Sequence, residues 1–203
     1  MPPAKLDLYA VHKSDYVAPK TPILINVKPA RYLAITGKGE PGGEAFQTRL
    51  GALYAVAFTI KMAKKFAGRD YKVCGLEGLW WGMPKTWNWK LIIRTPDFIT
   101  PADLKTAVAT LRAKGKGREV SEVKLERIEE GPSVQMLHVG PYDAEAPTLK
   151  AMEDFAAAQG LKCHGRHHEI YLSDPRRVKP EKLRTILRMP VKQRATRTGS
   201  ARR

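Results

Sequence analysis

The sequence has few of the features that mark an exported, membrane-bound or metal-containing protein. It holds two cysteines, Cys74 and Cys163, which are too few for a disulfide framework and do not form a closely spaced metal-ligand pair. No apolar run is long enough to cross a bilayer, and residues 1–20 contain no apolar stretch of signal-peptide length. We therefore expect a cytoplasmic protein with reduced, buried thiols.

Motifs for nucleotides, covalent catalysis and metals are also missing. The glycine-rich residues 37–43 precede a predicted helix but lack both the dinucleotide fingerprint and the P-loop Gly-Lys-Ser/Thr. No serine or cysteine lies in a nucleophile elbow. Residues 164–169 contain three histidines and a glutamate, yet strand alternation sends His164 and His168 away from His167 and Glu169. We expect neither a metal nor a cofactor.

The composition is that of a globular domain with a strong positive charge. Of 203 residues, 43% are hydrophobic and 28% charged, and 36 basic residues against 20 acidic ones give a net charge of +16. We interpret residues 191–203 as a basic, disordered tail. Either it is simply solvated, or it contacts nucleic acid non-specifically. No helix-turn-helix, zinc-finger or RNA-binding motif accompanies the charge.

The pattern of apolar residues predicts an arm followed by two similar halves. Residues 1–22 form an arm without sustained periodicity. In the first half we predict strands at 23–27 and 31–36, a helix at 44–66, and a hairpin of strands 71–81 and 87–94. Thr100, Pro101 and Asp103 predict a capped helix at 100–114. In the second half we predict strands at 120–128, 133–139 and 163–172, with a helix at 145–159.

Three segments of the first half match three of the second in the same order. Residues 32–37 match 135–140, residues 76–80 match 168–172, and residues 92–96 match 186–190. The sequence therefore predicts an α+β fold built from a duplicated β-α-β-β unit with a pseudo-twofold axis. Repeat one spans 23–96, the linker helix 100–114 and repeat two 120–190, with antiparallel sheets, helices on one face and a ligand cleft between the halves.

The matched strands carry a glutamate at the same place, Glu77 and Glu169. A carboxylate among aromatic rings attracts a cationic ligand, or acts as a general acid or base when its pKa is raised. The alternatives are a glutamate exposed on an ordinary sheet and one paired with an arginine.

Strand alternation predicts which side chains lie on the same face as each glutamate. These neighbours are Leu79 and Trp81 beside Glu77, and His167 and Tyr171 beside Glu169. Ile170 and Leu172 then face the helices.

Four tryptophans lie within ten residues across the predicted hairpin: Trp80, Trp81, Trp87 and Trp89. Tryptophan suits both ligand stacking and the protein core. Because alternation sends Trp80 and Trp81 to opposite faces, at most about half of the four share one groove.

Several motifs together resemble the GyrI-like small-molecule-binding family over about residues 20–190. They are Gly37-Lys38-Gly39-x-Pro41-x-Gly43, Leu76-Glu77-Gly78-Leu79-Trp80-Trp81, Trp87-x-Trp89, Arg94-x-Pro96, His138-Val139-Gly140-Pro141-Tyr142, and His167-His168-Glu169-Ile170-Tyr171-Leu172-Ser173-Asp174-Pro175. The resemblance implies a ligand cleft like those in the effector domains of multidrug-sensing transcription activators.

The resemblance also implies roles for individual residues. Some stand-alone relatives look like hydrolases that open the cyclopropane ring of DNA-alkylating natural products. Glu169 would then be the acid or base, with Tyr142 and Tyr171 as hydrogen-bonding partners, while Trp81 and Trp89 clamp a planar drug.

Three functions stay open: a binding module for planar or cationic drugs in drug sensing or protection, a cofactor-independent hydrolase, and a nucleic-acid or gyrase-associated protein. The ligand and the oligomeric state are not determined by the sequence.

Overall fold

A computed structural model of the chain describes residues 5–82 and 87–194. The helices are α1 (Leu8–Val11), α2 (Glu44–Phe66), α3 (Pro101–Ala113) and α4 (Ala146–Ala158). The strands are β1 (Ile23–Val27), β2 (Ala30–Lys38), β3 (Glu77–Trp81), β4 (Asn88–Arg94), β5 (Lys124–Ile128), β6 (Gly131–Val139), β7 (Leu161–Cys163), β8 (His167–Tyr171) and β9 (Arg184–Gln193). None of the described helices is long and apolar enough to span a membrane.

Most predicted elements are present. The strand predicted at 163–172, however, is two strands, β7 and β8, and the strand predicted at 71–81 begins only at Glu77. The capping box at the start of α3 is formed, because the Thr100 side chain accepts from Asp103 N while the Asp103 carboxylate accepts from Thr100 N. The predicted strand at 120–128 begins instead as the 3-10 helix Arg118–Glu122, which buries Val120 against the core under α2. Strand β9 continues through the first three residues that we assigned to the tail, because it pairs there with β7. Residues 195–203 of that tail lie outside the described residues.

The strands form one antiparallel sheet in the order β1-β6-β9-β8-β3-β4-β2-β5, with β7 added on β9. The elements β2, α2, β3 and β4 recur as β6, α4, β8 and β9, which confirms the duplicated α+β architecture. The first strand of each repeat, however, lies on the edge of the other half, since β1 pairs with β6 and β5 pairs with β2. The two repeats are therefore interlocked rather than self-contained.

The strand register tests the sequence matches between the two halves. Ala34 pairs with Ile92 in the first half, and their predicted counterparts Leu137 and Ile186 pair in the second. Two of the three predicted matches therefore agree with the register. The third is wrong by one residue, as the neighbouring strands show.

The error lies in the match between β3 and β8. Ile92 pairs with Glu77, whereas its counterpart Ile186 pairs with Ile170, so Glu77 corresponds to Ile170 and not to Glu169. Glu77 and Ile170 also pair directly with each other across the sheet. The pseudo-twofold axis thus passes between these two residues, and β3 and β8 form the seam where the halves meet.

The two faces of the sheet are covered by different parts of the chain. Helix α2 packs Leu53 and Val56 on the β2–β4 side, and α4 packs Met152 and Ala156 on Val134 and its neighbours. On the opposite face, the N-terminal arm packs against the sheet. The arm buries Tyr16 against Leu137, Ile170 and Ile186. Ile170 therefore faces the arm, and our expectation that it faces the helices is wrong.

A network of charged side chains is buried beneath the arm. His168 Nε2 lies 3.0 Å from Glu77 Oε2, and His168 Nδ1 lies 2.9 Å from Glu130 Oε1. Arg188 Nη1 donates to Glu130 Oε2 at 2.9 Å. All four side chains are buried, so two acidic groups face two basic ones away from water. Buried charges of this kind are tolerated only when they are paired and hydrogen-bonded.

The arm completes this network with its own groups. The Tyr16 hydroxyl donates to Glu77 Oε1 at 3.1 Å, and Arg188 Nη2 donates to the Asp15 carbonyl at 2.7 Å. Arg94 Nη1 donates to Asp15 Oδ2 at 2.7 Å. The aperiodic arm thus contributes hydrogen bonds to the core.

His168 makes stability depend on pH. Burial lowers its pKa, but Glu130 and Glu77 outweigh that effect and raise the pKa to about 9. Because the folded pKa lies above the unfolded one, the stabilisation is complete below pH 6.5 and is lost as the pH rises through about 9. We expect the free energy of unfolding, measured with urea, to fall by on the order of 3 kcal/mol between pH 6 and 9.5 through this group. His168→Gln is expected to remove this part of the dependence and to leave the part due to His167, whose pKa is also raised to about 9. An unchanged profile would contradict the assignment.

Gly37 shows where the first half has no room for a side chain. A Cβ at Gly37 would lie 2.1 Å from Cη2 of Trp89, which is fully buried and donates from Nε1 to the Gly39 carbonyl at 3.3 Å. Gly37→Ala is therefore expected to destabilise the protein by roughly 1–3 kcal/mol through overpacking. Gly51, on the exposed side of α2, has open space where a Cβ would lie, with no atom within 4 Å. Gly51→Ala is the matched control and is expected to stabilise by about 0.5–1 kcal/mol in the same urea denaturation.

Candidate functional site

The candidate site lies at the seam of the sheet, on the face that the helices cover. Because α2 packs on β2 and β4 and α4 on β6 and β7, the seam strands β3 and β8 lie between the two helices. Direct pairing puts Gly78 beside Glu169 and Trp80 beside His167 on this face. Glu145, the residue before α4, completes the site.

Glu145, His167 and Glu169 form a compact acid–base cluster. His167 Nε2 lies 3.3 Å from Glu169 Oε1 and 3.6 Å from Glu145 Oε2. The three groups are mostly buried, yet Glu145 Oε1 and both ring nitrogens of His167 make no well-aligned hydrogen bond. Buried polar atoms are rarely left without partners in folded proteins. The cluster thus has unused capacity to donate and accept hydrogen bonds.

The environment keeps a proton in this cluster near neutral pH. Burial lowers the pKa of His167, but Glu145 and Glu169 raise it to about 9. Burial also raises the pKa of Glu145, against the lowering effect of His167. An imidazolium therefore sits between two carboxyl groups, which is an arrangement suited to proton transfer.

Tyr171 connects the cluster to the aromatic side chains of the seam. Its hydroxyl donates to Glu169 Oε2 at 2.7 Å and accepts from Trp80 Nε1 at 3.2 Å. The exposed ring of Tyr142 meets the Tyr171 ring edge-on at 5.6 Å. A Cβ at Gly78 would lie 2.7 Å from Trp80 Nε1 and 3.0 Å from the Tyr171 hydroxyl, so only glycine leaves room for this chain of hydrogen bonds.

Four of the residues predicted for the site come together here: Glu169, Tyr171, Tyr142 and His167. Their functional roles remain predictions. Two further members, Glu145 and Trp80, were not predicted as site residues. Glu145 had one signal in the sequence, since it is an acidic residue directly before a predicted helix and close to the Gly140-Pro141-Tyr142 motif.

The other four predicted site residues lie elsewhere. Glu77 bonds to His168 beneath the arm, and Leu79 packs with Ile92 and its neighbours on that same face. Trp81 also points away from Trp80 and carries the Arg166 guanidinium 3.9 Å above its ring. Trp89 is buried under α2 against Phe46. Glu77 and Glu169 therefore lie on opposite faces of the sheet, because the match between β3 and β8 was one residue out of register.

The same cluster has the residue types of a metal site. One ligand atom each from Glu145, His167 and Glu169 lie within 4.8 Å of one another. His168 faces the other side of the strand, as the alternation argument required, and bonds to Glu77 and Glu130. We assign the cluster as a proton-sharing one, since His167 lies between the two carboxylates, and the absence of a metal stays a prediction.

The sheet is duplicated, and the polar cluster lies beside aromatic side chains where its two halves meet, between two helices. This arrangement is typical of a class of ligand-binding α+β domains. The chain belongs to the GyrI-like family, whose model, described as a GyrI-like small molecule binding domain, matches residues 20–192. No curated protein matches the chain.

Solved structures agree with this family. The chain is 41% identical to a hydrolase from Listeria innocua, with 93% of this chain and 100% of that one covered and a TM-score of 0.87. It is also 41% identical to an uncharacterized conserved protein from Listeria innocua, with the same coverage and a TM-score of 0.88. The EcmrR C-terminal domain shares the fold alone, with 11% identity, a TM-score of 0.58, and 86% of this chain and 98% of that one covered.

The cluster makes a direct prediction about His167. Glu145→Gln removes one of the two carboxylates that stabilise the imidazolium, so the pKa of His167 is expected to fall from about 9 by roughly one unit. Glu153→Gln, on the exposed side of α4, is the control and is expected to leave it unchanged. The measurement is an NMR titration of the five histidine imidazoles. A His167 pKa that is the same in both variants would refute the cluster.

Proposed function

We propose that this protein is a cofactor-independent hydrolase that binds planar, electrophilic, drug-like molecules in the seam cleft and adds water to them. The observation that carries the proposal is the buried cluster of Glu145, His167 and Glu169, whose unpartnered atoms can both donate and accept protons. The hydrolase from Listeria innocua, 41% identical over 93% of this chain, supports it. The substrates we propose are cyclopropane-bearing, DNA-alkylating natural products, so that the protein protects its host from them.

The charges of the cluster favour turnover over simple capture of a cation. A receptor for cationic drugs needs net negative charge close to the ligand. Here a protonated His167, 3.3 Å from Glu169, offsets one of the two carboxylates. Burial raises the pKa of Glu145, which reduces the negative charge that a cation would meet. Hydrolysis needs an acid and a base that act on one substrate near neutral pH, and this pair supplies both.

The proposed reaction is a hydrolytic ring opening. Glu169 accepts a proton from a water molecule as the water oxygen bonds to a cyclopropane carbon. The strained carbon–carbon bond breaks, and its electron pair passes to the oxygen of a conjugated carbonyl. That oxygen takes the proton of the His167 imidazolium, so the product is the substrate plus one water. Return of a proton from Glu169 to His167 resets the site.

Other residues of the cleft orient these groups. The Tyr171 hydroxyl holds Glu169 through its 2.7 Å hydrogen bond. The exposed Tyr142 ring offers a planar substrate a surface to stack on, and it takes the clamping role that we first expected of Trp81 and Trp89. Desolvation by a bound planar molecule strengthens each electrostatic interaction in the cleft.

The second candidate is a binding module without turnover, acting in drug sensing or sequestration. It is favoured by the family itself, which is one of small-molecule binding domains. Non-specific contact of residues 192–203 with nucleic acid is a separate prediction, and most of those residues lie outside the described part of the chain.

The experiment combines tryptophan fluorescence with product analysis. The full chain is mixed with a planar cationic dye, a planar neutral dye and a cyclopropane-bearing alkylator, and the products are identified by mass spectrometry. We expect saturable quenching by the alkylator and a product heavier by one water. Glu169→Gln is expected to lower kcat by roughly 10²–10⁴-fold with little change in KM.

Matched variants separate the two candidates. Glu153→Gln is expected to keep full activity, because it lies away from the cleft, and added chelator is expected to have no effect on a cofactor-independent reaction. Saturable binding of the alkylator without any product would overturn the hydrolase and leave the binding module. Turnover that survives in Glu169→Gln would overturn the role of that carboxylate.

A further inference from the structure

A second histidine on the helix-covered face, His138, lies outside the proton-sharing cluster. It is buried near the end of β6, and both of its ring nitrogens are bonded. Nδ1 lies 3.0 Å from Thr148 Oγ1 in the first turn of α4, and Nε2 lies 3.1 Å from the Pro141 carbonyl oxygen. His138 therefore links the end of β6 to the start of the turn at 141–145 and to the first turn of α4 that follows it.

The partners of His138 fix the direction of one of its two hydrogen bonds. A carbonyl oxygen only accepts hydrogen bonds, so Nε2 carries a hydrogen and donates it to Pro141. Nδ1 is bonded to the Thr148 hydroxyl, which can both donate and accept. Both ring nitrogens are therefore used in holding the segment that follows β6.

The segment held by His138 carries two of the site residues. The Pro141 carbonyl also accepts from Ala144 N at 3.0 Å, and the 3-10 turn Tyr142–Ala144 leads directly into Glu145. Glu145 lies at the N-cap of α4, where its carbonyl accepts from Leu149 N at 3.0 Å but its side chain makes no capping bond. The carboxylate is therefore directed to His167 and not to the helix terminus.

Gly140 permits this arrangement. It has a φ of 145°, a backbone conformation that favours glycine, and a Cβ there would lie 3.3 Å from His138 Nε2. The chain can thus reverse direction closely enough for the imidazole to reach the carbonyl of Pro141. The residues His138, Gly140, Pro141 and Tyr142 of the sequence motif act together in one turn.

We propose that His138 is a positioning residue, which fixes the turn bearing Tyr142 and Glu145 so that Glu145 stays against His167. Its importance for turnover rests on the proposed function, whereas its effect on the cluster does not. The imidazole touches no reacting group and acts through Pro141 and Thr148.

The first test uses the ligand-free protein. His138→Leu removes both hydrogen bonds, and Thr148→Val removes one. We expect the pKa of His167, followed by NMR, to fall in His138→Leu in the same direction as in Glu145→Gln, and to fall less in Thr148→Val. His138→Gln keeps an amide N–H that can reach Pro141 and is expected to restore part of the difference.

A packing control separates positioning from general destabilisation. Leu149→Ala removes a partly buried side chain of α4 that packs on the core beside Met152. It is expected to lower the melting temperature while leaving the His167 titration as in the unmodified protein. A His167 pKa that is unchanged in a folded His138→Leu protein would overturn the proposal, and so would an equal shift in Leu149→Ala.

The second test measures turnover of the alkylator. His138→Leu is expected to lower kcat by roughly 10–10²-fold with a smaller change in KM, because a displaced Glu145 no longer holds the His167 imidazolium in place, and a shift of about 1 Å in a catalytic site costs rate of this order. If the unmodified protein turns over none of the compounds but the His167 shift is found, the proposed reaction fails and the positioning role stands. Normal kcat in His138→Leu would overturn positioning for the reaction.

Discussion

The charge pairs around His168 fix the register between β3 and β8, and the candidate site depends on that register. His168 and Glu169 are consecutive, so holding one side chain beneath the arm directs the other to the helices. A slip of one residue would put Glu169 under the arm and leave Glu77 buried without a cation, and an unpaired buried charge is strongly destabilising. Burial raises the pKa of Glu130, but His168 and Arg188 outweigh it and lower the pKa to about 2, so the network is held as ions. The ion network therefore specifies which residues form the candidate site.

Much of the fold could be predicted from the sequence because its signals are local. The apolar stripe of α2, the capping residues of α3 and the glycines at the turns are read within a few neighbouring residues. The faces of β3 could not be predicted, because its first four residues are all buried and include no pattern of polar and apolar side chains. This strand packs Trp80 against Phe46 of α2 on one face and lies over the buried charges on the other. Alternation gives no information for a strand that is buried on both faces. The same cause explains why Leu79 and Trp81, which lie on this strand, were predicted as site residues.

Residues that reach the site from irregular segments were the hardest to predict. Glu145 is 22 positions before His167 in the chain, and only the docking of α4 brings the two side chains together. The arm is similar, since residues 5–19 precede the part of the chain that the family model matches, yet Tyr16 and Asp15 complete the buried network. Hydrogen bonds of this kind follow from tertiary packing, so they do not appear in the sequence as a regular spacing of residues. His138 is an intermediate case, because its motif was recognised from the sequence while its partners were not.

The consecutive residues His167 and His168 each lie between two carboxylates, but on opposite faces of the sheet. His168 stabilises the fold, and His167 belongs to the site of the proposed function. His168 lies between two carboxylates with both nitrogens bonded, and nothing in that network is left to bind a further group. His167 also lies between two carboxylates, but its nitrogens and Glu145 Oε1 have no well-aligned partner. Burying such unsatisfied groups costs stability, and proteins retain that cost mainly where a ligand completes the bonds. The seam therefore separates an ionic network whose histidine is fully bonded, which fixes the register, from a cluster that keeps unbonded polar atoms and is the site of the proposed function.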